Sequence, residues 1–384
     1  MVPVHADVWP HSTVRLLIMN TGLYIHIPFC RSKCIYCDFY STPAMGAMER
    51  VVEGIIAEYG YRRDEIAAPF QTVYIGGGTP SVLPANLFSR LIDTIDLTGV
   101  EEFTIEVNPE DVTTESVAFW RSLGVNRISM GVQSLRDPIL TFIGRRHSAN
   151  QAIAAIDLLS QGGIANVSVD LIYGLPGLSV DDWKEDLRRV LSMPVTHMSA
   201  YCLSWYEGTR LHKMWRQGRT EPVDDDIIDG QFSALQQIAA QHGFEHYEIS
   251  NLARPGFQSR HNTAYWNPDS QWLGLGPSAH SFDGNLRRID DSRISSWLHR
   301  LPYPCDIDEE DAIDRLNDNI VTALRTSHGL DLSKIPSKYK KQIIADAKPS
   351  LRAGHIELSD DHLRIPAHHW LTSDTIIRQL IVLH

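Results

Sequence analysis

Tyr24-Ile25-His26-Ile27-Pro28-Phe29-Cys30-Arg31-Ser32-Lys33-Cys34-Ile35-Tyr36-Cys37-Asp38-Phe39 reads as a short apolar strand running into a loop with three cysteines at CxxxCxxC spacing. Three thiolates on one loop can hold three corners of a cubic iron–sulfur cluster. The fourth iron is then left open to a small molecule. A cluster bound wholly by cysteine takes four thiolates, and structural zinc takes four ligands at other spacings. No fourth ligand follows: two residues past the third cysteine stands Phe39. A zinc knuckle or unconnected thiols are the alternatives. Cys202 and Cys305 stand alone in strand-like or loop sequence and read as buried free thiols. This usage fits a reducing cytoplasm rather than a disulfide scaffold.

Outward from this loop, strand-like and helix-like runs alternate to about residue 250. Strands are predicted at 23–27, 72–75, 102–107, 126–132, 166–172, 197–203 and 246–249. Most are nearly continuous apolar runs, as expected of parallel strands covered on both faces. The runs 45–63, 149–161, 180–192 and 225–241 carry the helical period. Ser179 with Asp182 resembles a capping box. Repeated βα units predict a parallel barrel or an open doubly wound sheet. In both, functional residues sit at the C-terminal ends of strands.

The unusual residues fall there. Gly76-Gly77-Gly78-Thr79 follows the second strand, and its glycines let backbone approach a ligand closely. A simple tight turn is the alternative, and no lysine follows the threonine as a phosphate loop requires. Glu106, Gln133 and Asp170 are polar residues in apolar strands. Burying such groups is costly unless they are paired or ligand-bound. Arg145 offers a planar fork to a carboxylate, with Arg146 as the competing choice.

The bulk composition narrows the classes. The chain has 384 residues, 43% hydrophobic and 21% charged, with a net charge of −12. That argues against a nucleic-acid surface. No apolar run reaches the ~20 residues of a membrane span, and no secretory signal is seen. Residues 1–18 read as a flexible extension or as the product of an upstream start codon. Beyond residue 300 the pattern becomes helix (309–326), helix (336–353), hairpin (356–365), helix (372–384). This is a winged-helix-like order without basic excess, so it reads as a packing or partner-binding region.

The cysteine loop, with Phe29, Tyr36 and Phe39, resembles that of the radical S-adenosylmethionine (SAM) superfamily. The resemblance implies a partial (β/α)6 TIM-like barrel over residues 19–250. A connecting region at 251–300 and a C-terminal winged-helix-like domain at 301–384 complete the implied α/β architecture. It also implies a [4Fe–4S] cluster on Cys30, Cys34 and Cys37 that binds SAM and splits it reductively. Gly76–Gly78 resembles the stretch that receives the methionine amino group. Tyr24, Tyr36, Gly77, Gly78, Thr79, Glu106, Gln133, Arg145 and Asp170 would line the SAM site, joined by Ser204 and His280 at later strand ends.

Tyr24–Pro28, Gly76–Ser81, Glu106–Pro109, Gly131–Ser134 and Asp170–Gly177 together resemble the oxygen-independent coproporphyrinogen III oxidase family. That family has two branches. The oxidase has a longer arm before the cluster loop and a further cysteine two residues past the third. This chain has Phe39 there. It also carries His261-Asn262-Thr263-Ala264-Tyr265-Trp266, which resembles the HNxxYW motif of the HemW-type haem chaperones. Gly274–Ser281 resembles a glycine loop shared by both branches. The implied function is to bind haem, the cluster and SAM, and to pass haem to an acceptor protein. The alternative is radical oxidative decarboxylation of coproporphyrinogen III in porphyrin biosynthesis. His261 is the candidate haem ligand; a structural histidine held by Asn262 or a backbone carbonyl is the other reading. The implied partners are an electron donor such as flavodoxin or ferredoxin, and membrane-bound respiratory proteins touched peripherally. The chain would be a cytoplasmic monomer or dimer with no nucleic-acid partner.

Overall fold

A computed structural model describes residues 21–66, 69–299 and 302–383. The extension expected at 1–18 lies outside the described residues.

Six parallel strands lie side by side in chain order: β1 (Thr21–Ile27), β2 (Thr72–Gly77), β3 (Glu102–Val107), β4 (Arg127–Gln133), β5 (Asn166–Tyr173) and β6 (His197–Cys202). A doubly wound sheet reverses its strand order at a switch point. Here every crossover advances the same way. Right-handed crossovers then put all the connecting helices on one face, and the sheet curves around the other. This is the (β/α)6 barrel-like arrangement. Three connecting helices escaped the periodicity reading: Ala85–Ile92, Thr114–Ser122 and Asp137–Ile143. They run 8, 9 and 7 residues, about two turns each, too short for a 3.6-residue period to stand out.

The pleat sorts the side chains. Leu23, Ile25 and Ile27 of β1, Val73 and Ile75 of β2, and Ile128, Met130 and Val132 of β4 are fully buried. The alternate positions carry Tyr24 and His26, Tyr74 and Gly76, Glu102, Thr104 and Glu106, Arg127 and Ser129, Ser168 and Asp170. Both faces of the strands are covered, as expected, but only one of them is apolar throughout. One face packs on helices, while the concave face is a lumen lined by polar side chains, most of them buried.

The same sheet continues past residue 250. On the β6 side it adds β7 (Glu245–Glu248) and β8 (Asn251–Ala253). On the β1 side it adds β9 (Gln271–Leu275), parallel to β1, and then antiparallel β10 (His280–Phe282), β11 (Leu286–Asp290) and β12 (Cys305–Glu309). Arg62, at the end of helix Met48–Arg62, ties this edge to the barrel. It is fully buried and donates to Glu58 (3.0 Å), the Gly274 carbonyl (2.9 Å), Ser281 (2.8 Å) and Asp290 (3.3 Å).

The C-terminal region runs helix Ala312–Ala323, β13 (Leu330–Asp331), helix Ser337–Ala353, hairpin β14 (Glu357–Ser359)–β15 (His362–Arg364) and helix Ser373–Arg378. The order is winged-helix-like. Its first helix starts later than expected because residues 305–309 are strand β12. The hairpin turn puts both Asp360 (φ 51°) and Asp361 (φ 60°) in the left-handed region, as a two-residue hairpin loop demands. The last helix stops at Arg378 rather than reaching the terminus. Cys202 and Cys305 are partly exposed rather than buried.

Candidate functional site

The cysteine loop is stapled to the barrel mouth by backbone hydrogen bonds. Cys30 N donates to Thr42 O (3.1 Å), Ile35 N to Ile143 O (3.1 Å), and Leu211 N to Ile35 O (2.8 Å). A chain of polar contacts then runs beneath the thiols. Cys30 Sγ lies 3.4 Å from Thr79 Oγ1, which accepts from Asn108 Nδ2 at 3.2 Å. Asn108 Oδ1 accepts from Arg145 Nη2 at 2.6 Å, and Arg145 Nη1 reaches Cys34 Sγ at 3.7 Å. Burial pushes up the thiols of Cys30 and Cys37, the latter to about 11. Their thiolates therefore need a cationic partner to form. Among the described residues no three His, Cys, Asp or Glu side chains gather as a single metal ion requires. Three thiols that do not converge on one point suit the separate corners of a cluster rather than a lone zinc ion.

Beside the loop lies a cradle with no room for side chains. A Cβ on Gly78 would stand 2.7 Å from the Phe29 carbonyl, and one on Gly77 (φ +111°) would stand 2.6 Å from the His26 ring. One on Gly76 would meet Glu106 Oε1 at 2.9 Å. Glu106 accepts from Tyr74 Oη (2.8 Å) and Gly77 N (3.0 Å). Burial raises its carboxyl to about 7. Asp170 accepts from Ser129 Oγ at 3.3 Å and is likewise raised by burial. Gln133 closes the ring at a β-bulge with φ 67°, a backbone conformation a non-glycine residue seldom adopts. The bulge aims its amide toward Arg145: a Cβ on Gly131 would touch both side chains, at 2.9 and 3.1 Å.

Structure thus brings Cys30, Cys34, Cys37, Gly77, Gly78, Thr79, Glu106, Gln133, Arg145 and Asp170 to one end of the sheet. Tyr36 is half-buried in the loop itself. Ser204 is exposed just past β6, and His280 is exposed at the start of β10.

Tyr24 and His261 belong to a deeper layer. The rings of Tyr24, Tyr74 and His261 stack 5.0–6.3 Å apart. His261 is fully buried, and both its nitrogens are taken: Nδ1 meets Thr72 Oγ1 at 2.8 Å and Nε2 meets Tyr265 Oη at 2.9 Å. Its main-chain N–H donates to Glu102 at 3.0 Å. Neither Asn262 nor a carbonyl holds the ring. Burial, then the Arg127 charge, lowers its pKa to about 3. The folded ring stays neutral where the unfolded one, near its ordinary 6.5, takes up a proton. This part of the stability is full above pH 6.5 and is lost as the pH falls. At pH 5 the loss is about 2 kcal/mol. Urea unfolding should therefore show the parent losing about 2 kcal/mol more than His261→Gln between pH 7 and 5. Equal losses would refute a buried neutral ring.

Sequence reasoning passed over Asn108, Tyr74, Ser129 and Arg127. Arg127 opens β4, is fully buried, and its three guanidinium nitrogens have no hydrogen-bond partner among the described residues. A cation at the start of an apolar run is the same signal that singled out Glu106. Tyr74 gives no such signal, since tyrosine is an ordinary strand residue.

Comparison with known proteins agrees with this geometry. The family model of the radical SAM superfamily matches residues 24–190. The heme chaperone HemW of Lactococcus lactis is 33% identical over 332 residues, covering 85% of this chain and 86% of that one. HemW of Mycobacterium tuberculosis H37Rv is 32% identical over 373 residues, 94% of each chain. Among solved structures, coproporphyrinogen III oxidase (HemN) from Escherichia coli superposes with a TM-score of 0.82. It covers 95% of this chain and 90% of its own at 19% identity, a likeness of fold alone.

Proposed function

Since the chain belongs to the HemW family within the radical SAM superfamily, we propose that it is a haem carrier. In this reading it binds haem, a [4Fe–4S] cluster and SAM, and hands haem to an acceptor protein. The likeness to curated haem chaperones over most of both chains carries the proposal. Phe39 supports it: the position is 71% exposed and supplies no thiol.

Cys30, Cys34 and Cys37 would hold the cluster, and the Gly76–Gly78 backbone, Glu106, Gln133, Arg145 and Asp170 would hold SAM. Together, when bound, these groups supply one-electron cleavage of a sulfonium. The chain's own part is to orient and to shield. Arg145 presents a cation next to a thiol, and Glu106 and Asp170 present acceptors on the lumen face. The stacked Tyr24, Tyr74 and His261 rings close the lumen beneath them. With both nitrogens bonded, His261 serves in this proposal as a strut rather than as a haem ligand. The C-terminal region, with 10 basic and 13 acidic residues over 301–384, serves packing or a protein partner. No helix among the described residues is long and apolar enough to cross a membrane.

Anaerobically reconstituted protein given SAM, reductant and coproporphyrinogen III should form no protoporphyrinogen. Ferric haem added to the same protein should stay bound through gel filtration. Turnover of the porphyrinogen, or complete loss of haem on the column, would overturn the proposal.

A further inference from the structure

The helix Arg210–Arg216 rests directly on the cysteine loop through the Leu211–Ile35 backbone bond of 2.8 Å. Leu211 is buried and Met214 packs on the core, so the opposite side of the helix faces outward. At helical spacing that side carries His212, Trp215 and Arg216. The His212 and Trp215 rings meet edge-on at 5.3 Å, and Trp205 meets Trp215 at 6.1 Å. Tyr206 is 53% and Trp215 39% exposed. Large aromatic rings are seldom left in water beside a functional mouth without a use.

The charge here runs against the rest of the chain. In a protein of net charge −12, Arg210, Lys213, Arg216 and Arg219 fall within ten residues. Among the described residues no carboxylate pairs with any of them. His212 differs from the buried histidines. The ring nitrogens of His26, His197, His246 and His261 are hydrogen-bonded, whereas nothing described bonds the imidazole of the half-buried His212.

Resting on the haem-carrier reading, we infer that haem docks on this surface beside the cluster loop, with His212 as axial ligand. The chemistry of the occupant follows from what the surface offers. A porphyrin is a flat aromatic ring that packs on indole and phenol faces. Its two propionates meet cations, and its iron takes a neutral imidazole. An acidic protein would use the cations and leave the imidazole and the indoles idle.

The test is titration of ferric haem into the reconstituted full chain, followed by the Soret difference spectrum and tryptophan quenching. His212→Ala should weaken binding by about tenfold or more and shift the Soret band. Trp215→Leu should weaken binding and remove most of the quenching. His280→Ala and His261→Ala should leave the Soret position unchanged. Thermal melts of each variant separate misfolding from lost binding. If the parent binds no haem, the carrier reading itself fails. If the parent binds and both His212→Ala and Trp215→Leu bind equally well, the surface is wrong while the carrier reading stands. Loss confined to His280→Ala would move the site to β10 and overturn the inference.

Discussion

Cys34→Ser will lose its iron and its brown absorbance. In the proposed function Cys34 is one of three cluster donors on the loop, and its Sγ is the thiol that Arg145 reaches at 3.7 Å. Altering a residue that merely supports a metal ligand typically costs about 10–100-fold in affinity. Removing a ligand must cost more, because two thiolates cannot hold a cube that already lacks a fourth protein donor. Iron and acid-labile sulfide after anaerobic reconstitution give the measurement. Cys202→Ser, in β6 and partly exposed, should keep the full complement. Full retention of iron in Cys34→Ser would refute the assignment of the loop. Arg145→Ala should fall between the two, since it disturbs both Cys34 and the Asn108 link to Thr79 and Cys30.

Arg62→Met will destabilise the fold by about 3–5 kcal/mol. That is a large share of the roughly 5–15 kcal/mol that holds a typical native state together. The guanidinium lies between the buried carboxylates of Glu58 and Asp290 and also binds Glu65 at 3.0 Å. Burial and the Asp290 charge already push Glu58 up to about 8. Without Arg62, Glu58 faces Asp290 with no cation of its own among the described residues, and Asp290 keeps only Arg288 at 3.3 Å. The double variant Glu58→Gln/Arg62→Met should recover part of the loss, since one of the stranded charges is gone. Chemical denaturation of the parent and the two variants measures both effects. A loss below about 1 kcal/mol in the single variant would show that water already reaches the network.

The site divides by how far apart its parts lie in sequence. The cysteines are legible because their spacing is local, seven residues from first to last. Gly76–Gly78, Glu106 and Asp170 are legible because each breaks the apolar pattern of its own strand. Asn108 is not: its value lies in joining Thr79 to Arg145, partners 29 and 37 residues away. Nor is the state of His261, whose imidazole is closed off by Thr72 from 189 residues upstream. The HNxxYW resemblance suggests a ligand there. Placement in a stacked aromatic layer, with both nitrogens bonded, supports a strut.

By itself, then, the sequence determined the βα alternation, the three-thiol loop with Phe39 behind it, and the polar residues at the strand ends. All of these are written in short-range spacing and in the pleat. Tertiary structure alone decided that one strand face is a polar lumen, that Arg62 locks the β9–β11 edge to the barrel, and that the helix Arg210–Arg216 sits on the cysteine loop. Each of these joins residues tens to hundreds of positions apart. A hydrogen bond or a buried charge pair acts over a few ångströms, so only folding determines which distant groups fall within its reach.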